Sequence, residues 1–325
     1  FNADGFNAIL HAGLRRFGSG FTKSVSLLMP EADPKMSQYH LGAPTFKKLQ
    51  RQIARDYNLR IDDLRSGQVN PQTDVLAVIA PYQLSEPQIF AIDQFLMRGG
   101  TLILATSPFS TELAQGQLKV QAWDSGLSEW LAHHGIEIER SMILDTQNAP
   151  FPAPVIRHSQ GQQFQNVEVI DYPYFLDIRG SGVIKGHPVT SSLPQLSMAW
   201  ASPISLSTNT SRSIDRLLQS SPQSWASSSA RIMPERDQDH NFNFTHGETK
   251  AQMTVGITMQ GVFGSWFADR PVPSGLDTNP SNTGINTVIK QSAKSSRIIL
   301  YASNDFLDDQ VLKALALGAG TQYMG

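Results

Sequence analysis

The stretch Ile92–Pro108, IDQFLMRGGTLILATSP, decides the fold. Ile92, Phe95 and Leu96 keep the spacing of a helix with one apolar face, and that pattern stops at Gly99-Gly100. Gly99 is the expected residue after the helix end, because a left-handed conformation there satisfies the last carbonyls without a Cβ clash. Thr101–Ala105 follows at once and is apolar on both sides, as a strand buried on two faces is. It exits into Thr106-Ser107-Pro108, and in many α/β enzymes such an exit carries a nucleophile. Ser107 lacks the surroundings for that role. A nucleophile elbow is Gly-x-Ser-x-Gly, since small neighbours permit its strained turn, whereas here the flanks are Ala105 and Phe109. Pro108 has no N–H, so the residue after the serine cannot donate to an oxyanion. Ser107 is read as a strand end that lines whatever cleft lies there.

Upstream, Asp74–Ala80 (DVLAVIA) is a second buried strand, ended by Pro81. Ser85 and Gln88 form a capping box that opens the helix carrying Ile89 and Ile92. Val25–Met29, closed by Pro30, is a third strand. Pro44 suits the first turn of a helix in which Phe46, Leu49, Ile53 and Tyr57 share a face, and Leu59 with Ile61 suits a short edge strand. A further helix is predicted over Phe6–Phe17, ended by Gly18-Ser19-Gly20. The alternation of strand and helix predicts an α/β fold, with a mostly parallel sheet and helices on both faces.

Downstream, Trp123–His134 reads as a helix stopped by Gly135. Residues 145–250 then turn rich in Pro, Ser, Gln and Asn, and "QNAPFPAPVIRH" and "DYPYFLDIRG" suggest extended, turn-rich β structure. The serine cluster Ser207–Ser229 reads as a loop. Met253–Met259 and Arg297–Ala302 return to strand character, and a helix runs through Leu312–Leu317. The expected organisation is an α/β core begun over 1–140, a β-rich excursion over 141–250, and a return to the core over 251–325.

Composition narrows the function. The 325 residues contain no cysteine, which removes disulfides, thiolate nucleophiles and cysteine-held metals. A formal charge of −2 predicts no basic surface for nucleic acid and no polybasic membrane patch. No apolar run approaches the ~20 residues that span a bilayer. A chain opening on Phe1 reads as part of a longer one, with any signal or anchor outside it.

Several segments, taken in order, resemble a known family. They are "SGQVNPQTDVLAVIAPYQLSEPQIFAIDQFLMRGGTLILATSPFS", "SEWLAHHGIEIERSMILDTQNAPFPAPV", "VIDYPYFLDIRG", "GHPVTSSLPQLSMAWASPI", "QGVFGSWF" and "RIILYASNDFLDD". Asp93-Gln94 with Arg98-Gly99-Gly100, and Asp171-Tyr172-Pro173, are the most specific strings. Together they resemble the extracytoplasmic auxiliary component of gliding-motility-type ABC transporters, the GldG-like proteins. The resemblance implies a glutamine-amidotransferase-like, flavodoxin-like α/β fold on the periplasmic face of the inner membrane. It implies an anchor outside this chain, and an ABC permease and its ATPase as partners. It carries over no catalytic residue and no cofactor.

The titratable clusters have structural readings beside their chemical ones. His133 and His134 are neighbours at a helix end, so their side chains diverge by about 100° and do not converge on one metal. Interaction with the helix C-terminus explains them. Glu235, Asp237, Asp239, His240, His246 and Glu248 are metal-ligand types without a standard spacing. A metal-dependent hydrolase built on them is the alternative to a non-enzymatic auxiliary subunit, and a structural scaffold is the third reading. Asn304 or Asp305 is expected to cap the last helix, with Asp308 and Asp309 in its first turn. No Walker or Gly-x-Gly-x-x-Gly sequence occurs, so nucleotide hydrolysis belongs to a partner.

Open parallel sheets bind ligands beyond the carboxyl ends of their strands. Here those exits place Pro30, Tyr82, Ser107, Phe109, Asn304 and Asp305 on a candidate binding rim. Its mixture of polar and aromatic side chains suits a polar ligand or a peptide edge better than acid–base chemistry.

Overall fold

The computed structural model describes residues 22–30, 44–114, 117–159, 162–208, 211–236, 242–244, 247, 249–274, 276 and 288–322. The helix expected over Phe6–Phe17 lies outside the described residues. Within them the chain begins β1 (Ser24–Leu28), α1 (Lys47–Asp56), β2 (Asn58–Ile61), β3 (Val75–Ile79), α2 (Glu86–Met97) and β4 (Thr101–Ala105). A hairpin of β5 (Phe109–Ala114) and β6 (Gln117–Ala122) follows, then α3 (Ser128–His133), β7 (Ile136–Ile138) and β8 (Met142–Leu144). Next come the long β9 (Asn148–Ser159) and β10 (Gln162–Arg179), then β11 (Gln195–Ala199) and β12 (Ile204–Leu206). The chain ends with β13 (Ser213–Gln219), β14 (Trp225–Ser227), β15 (Glu235–Arg236), β16 (Phe242–Asn243), β17 (Thr254–Gln260), β18 (Arg297–Tyr301) and α4 (Asp309–Gln322).

Seven strands form one sheet in the order β2-β1-β3-β4-β18-β17-β13. The first five are parallel, and β17 and β13 extend that sheet as antiparallel strands. Numbered by their place in the chain, the parallel strands read second, first, third, fourth, fifth, so progress across the sheet reverses between β1 and β3.

Both faces of the parallel strands are apolar. Leu76, Val78, Leu102 and Leu104 face a cluster completed by Ile92 and Leu96 of α2 and Trp130 of α3. Val25, Leu27, Ala77 and Ile299 face the other way, against Phe46, Leu49 and Ile53 at α1 and Leu176, Ile178 and Met198 of β10 and β11. One face is therefore helical as expected, while a β layer shares the other with α1. The aromatic run of β10 explains the difference: Tyr172, Tyr174, Phe175 and Leu176 are fully buried and bind the hairpin to the body. Helix α4 packs on that hairpin, with Val311 and Ala314 against the cluster of Phe151 and Tyr172.

Three other expectations need correction, and one element is additional. Pro44 lies ahead of α1, not in its first turn, because Thr45 is bonded through N–H and carbonyl to Asp308 and Asp309. The helix expected from Trp123 is only α3. Trp123 is held by the carbonyls of Pro108 and Pro81, and Asp124 and Ser125 make side-chain turns onto Gly126 and Leu127 before α3 starts. The β5–β6 hairpin was not expected at all. The Ser207–Ser229 stretch is no loop, since it supplies β13, a strand of the main sheet, and β14. Arg297–Tyr301 does return to the main sheet, between β4 and β17. Among the described residues no helix is long and apolar enough to cross a membrane.

Candidate functional site

The exits of β4 and β18 lie side by side, because those strands pair in parallel register from Thr101↔Arg297 to Ala105↔Tyr301. That register brings Ser107 to Asn304. The Asn304 amide nitrogen donates to the carbonyls of Ser107 (2.8 Å) and Phe109 (2.6 Å), and its oxygen accepts from the Ser107 N–H at 3.3 Å. Ser107 Oγ shares a hydrogen bond with Ser202 Oγ at 3.0 Å and accepts from the Phe109 N–H at 3.3 Å. Ser107, Asn304 and Asp305 are buried, at 2%, 1% and 2% exposure. Ser107 is thus a structural hydroxyl, and no histidine bonds to it among the described residues. Tyr82 stands apart from this knot. It is half exposed and rests on Trp123, ring centroids 4.6 Å apart. Pro30 is half-buried at the exit of β1.

Beyond the knot opens a small cleft with an enclosed volume of about 50 Å³ and an open mouth. The β5–β6 hairpin gives one wall, with Ser110, Thr111, Glu112 and Gln121; α4 gives another, with Gln310, Val311 and Ala314; Phe151, Phe175 and Trp200 make an aromatic floor. Trp200 has a left-handed backbone, φ 46°, and its ring sits edge-on to Phe175 at 4.9 Å. Its indole N–H donates to the Tyr172 hydroxyl at 3.2 Å, which in turn donates to the Ile232 carbonyl.

Three carboxyl groups line the cleft. Asp305 accepts from the Ser110 hydroxyl and the Thr111 N–H, both at 3.0 Å. Burial dominates these bonds and the repulsion from Asp308 adds to it, so its pKa is pushed up to about 8. Asp308 is also raised, by burial, against three backbone N–H donors: Thr45, Gln310 and Val311. Burial raises Glu112 as well, with Lys119 opposing. The Thr111 hydroxyl and Glu112 Oε1 are buried without a hydrogen-bond partner. A cleft with partly desolvated carboxyls over an aromatic floor can hydrogen-bond a ligand and stack against it. Among the described residues it has no nucleophile hydrogen-bonded to a base.

The capping expectation needs revision. Asp308, not Asn304 or Asp305, accepts from the first N–H groups of α4, Gln310 at 2.8 Å and Val311 at 3.3 Å. Asp309 reaches across to α1 instead and accepts from the N–H groups of Lys47 and Lys48 at 2.8 and 2.9 Å. Burial works to raise its carboxyl, but these donors outweigh it and hold it below the usual range.

His134 also departs from expectation. It is buried beside Trp130 and Phe263, and burial, with His133 and Arg212 adding, pushes its pKa down to about 3. It is neutral, so attraction of a cation to the helix end does not explain it. His133 bonds the Gly264 carbonyl through Nε2 at 3.1 Å. Asp237, Asp239, His240, His246 and Glu248 lie outside the described residues, and among those described no three or more such side chains could hold a metal ion.

A family profile described as an ABC-type uncharacterized transport system, the ABC transporter auxiliary family, matches residues 24–324. The chain belongs to that family. The match runs from β1 to α4 and so takes in both strand exits and every wall of the cleft of this auxiliary component. A search of curated proteins finds no match. Among solved structures, one titled mmIFT52 N-terminal domain is similar at 8% identity and a TM-score of 0.46, covering 92% of this chain and 96% of that one. A putative ThuA-like protein from Bacteroides uniformis is similar at 10% identity and a TM-score of 0.36, covering 92% and 89%.

Proposed function

We propose that this chain is a non-enzymatic, GldG-like subunit of an ABC transport system. It works on the extracytoplasmic side of the membrane, held by an anchor outside this sequence, beside a permease and its ATPase. Its parallel strand order is the flavodoxin-like one, and its working surface is the cleft beyond β4 and β18. The observation that carries the reading is the cleft itself. It lies beyond the carboxyl ends of the parallel strands, at β4 and β18 and not at the β1–β3 reversal, and it offers carboxyl and aromatic groups without a nucleophile–base pair. Membership in an ABC transport family supports a role in transport.

The test is the double variant Glu112→Ala/Gln121→Ala, made in the intact protein. Gln121 is exposed and Glu112 lacks a partner for its buried oxygen, so the fold tolerates both changes. Lost transport, or lost co-purification of the permease, at unchanged melting temperature is the expected result. Normal transport by a folded double variant would remove the cleft from the mechanism.

A further inference from the structure

Helix α1 carries its charges in places that work against it. Lys47, Lys48, Arg51 and Arg55 are exposed, and at 3.6 residues per turn they fall within roughly 100° of arc, opposite the stripe of Leu49 and Ile53 that packs on the sheet. Lys47, Arg51 and Arg55 follow one another four residues apart, a spacing at which like charges repel. Lys47 and Lys48 occupy the first turn, and the helix has no acid of its own there; the Asp309 carboxylate, bonded to the N–H groups of both, supplies the negative charge at that end. Among the described residues, Lys47, Lys48 and Arg51 have no carboxylate within ion-pair distance. Arg55 meets its neighbour Asp56 at 3.2 Å. Among the described residues, Asp56 and Asp309 lie near this surface; Asp309 is engaged by backbone N–H groups and also attracts the Lys48 side chain. A chain of net charge −2 has therefore gathered cations on one stripe, three of them at a spacing where they repel one another. A sum over the whole chain does not show such local clustering.

We infer that the stripe Lys47-Lys48-Arg51-Arg55 is a docking surface for anionic phospholipid headgroups. The four cations are spread along ~12 Å of helix, which suits an array of phosphates rather than one planar ligand. Tyr57, at the C-terminal end of α1, and Ile61, on the edge strand β2, are 46% and 54% exposed. Both follow α1 directly in the chain, and an exposed amphipathic ring and aliphatic side chain of that kind fit the boundary between headgroups and acyl chains. The contact orients the body against the bilayer, with one end of the sheet toward the lipid. The assignment stands apart from the cleft, and the cleft variant above keeps it.

The experiment is co-sedimentation of the intact chain with vesicles of phosphatidylglycerol and phosphatidylcholine in equal parts, and with phosphatidylcholine alone, over rising salt. Binding to the anionic vesicles alone, fading as salt rises, is expected. The variant Lys47→Gln/Arg51→Gln/Arg55→Gln loses binding by roughly tenfold or more. It keeps or gains thermal stability, because the repulsion within α1 is gone, and that separates lost docking from lost folding. The control Lys119→Gln/Arg140→Gln/Lys294→Gln, equal in charge but elsewhere on the surface, binds like the parent. No binding to anionic vesicles at low salt, or undiminished binding by the stripe variant, overturns the assignment. Stripe-dependent binding to polyglutamate without vesicle binding overturns it too, in favour of an acidic protein partner.

Discussion

Gly99 and Gly100 are adjacent and are constrained by different forces. Gly99 has φ 96°, and a Cβ there would sit in open contact, 3.5 Å from Ser295 Oγ. Its constraint is conformational. Gly100 is free of that strain, but a Cβ on it would lie 2.4 Å from the Phe95 ring. Its constraint is space. Gly99→Val is expected to destabilise by ~1–2 kcal/mol or more, and Gly99→Asn by less, since Asn tolerates positive φ. Gly100→Ala is expected to destabilise by ~1–3 kcal/mol through overpacking, and adding Phe95→Leu restores part of the loss. Urea melts of the four variants check this. Equal losses for Gly99→Asn and Gly99→Val, or no rescue by Phe95→Leu, would contradict the division.

At the scale of elements, α1 and α4 meet at their N-termini and are held there by two aspartates of one chain segment. Asp309→Ala is expected to destabilise by ~1 kcal/mol and to speed hydrogen exchange at the Lys47 and Lys48 amides, leaving that of Gln310 and Val311 unchanged. A uniform rise in exchange over both helix ends would contradict the separate roles of Asp308 and Asp309. This junction also shows where reading the sequence succeeds and where it stops. The helix α2, its Ser85–Gln88 pair at 2.9 Å and the strands β1, β3, β4 and β18 were legible, because each is specified by residues within a few positions of one another. The rim at Ser107, Asn304 and Asp305 was legible as strand exits. The cap of α1 was not, since its acceptor lies 262 residues away. Nor was the β5–β6 hairpin, whose turn carries no Asn-Gly or Asp-Gly signal, nor the truncated start of α3, which tertiary bonds to Trp123 decide. The cleft stayed hidden for the same reason: its walls come from separate elements, and Glu112 and Trp200 have no local pattern to mark them.

For the whole molecule, two buried groups set opposing slopes of stability against pH. His134, depressed from 6.5 to about 3, contributes stability that is lost as pH falls through that interval. Asp305, raised from 3.8 to about 8, contributes stability present below 3.8 and lost as pH rises toward 8. Between about 3.8 and 6.5 the two slopes oppose each other, and the raised Asp308 and Glu112 add to the loss with rising pH. Chemical denaturation across pH should therefore show a decline from about 6.5 to about 8, and Asp305→Asn should reduce it. An undiminished decline in Asp305→Asn would assign it to another group. The sheet order has a consequence in time. Strand β18 sits between β4 and β17, and its approach is sealed by bonds such as Ser296 Oγ to the Leu96 carbonyl, 200 residues apart. Until Arg297–Tyr301 has been synthesised, β4 has an open edge of unpaired amides and carbonyls, and the long segment between must close as one loop. Refolding is expected to be slow and to aggregate at high concentration, and a chain ended before residue 297 is expected to be held by chaperones rather than released.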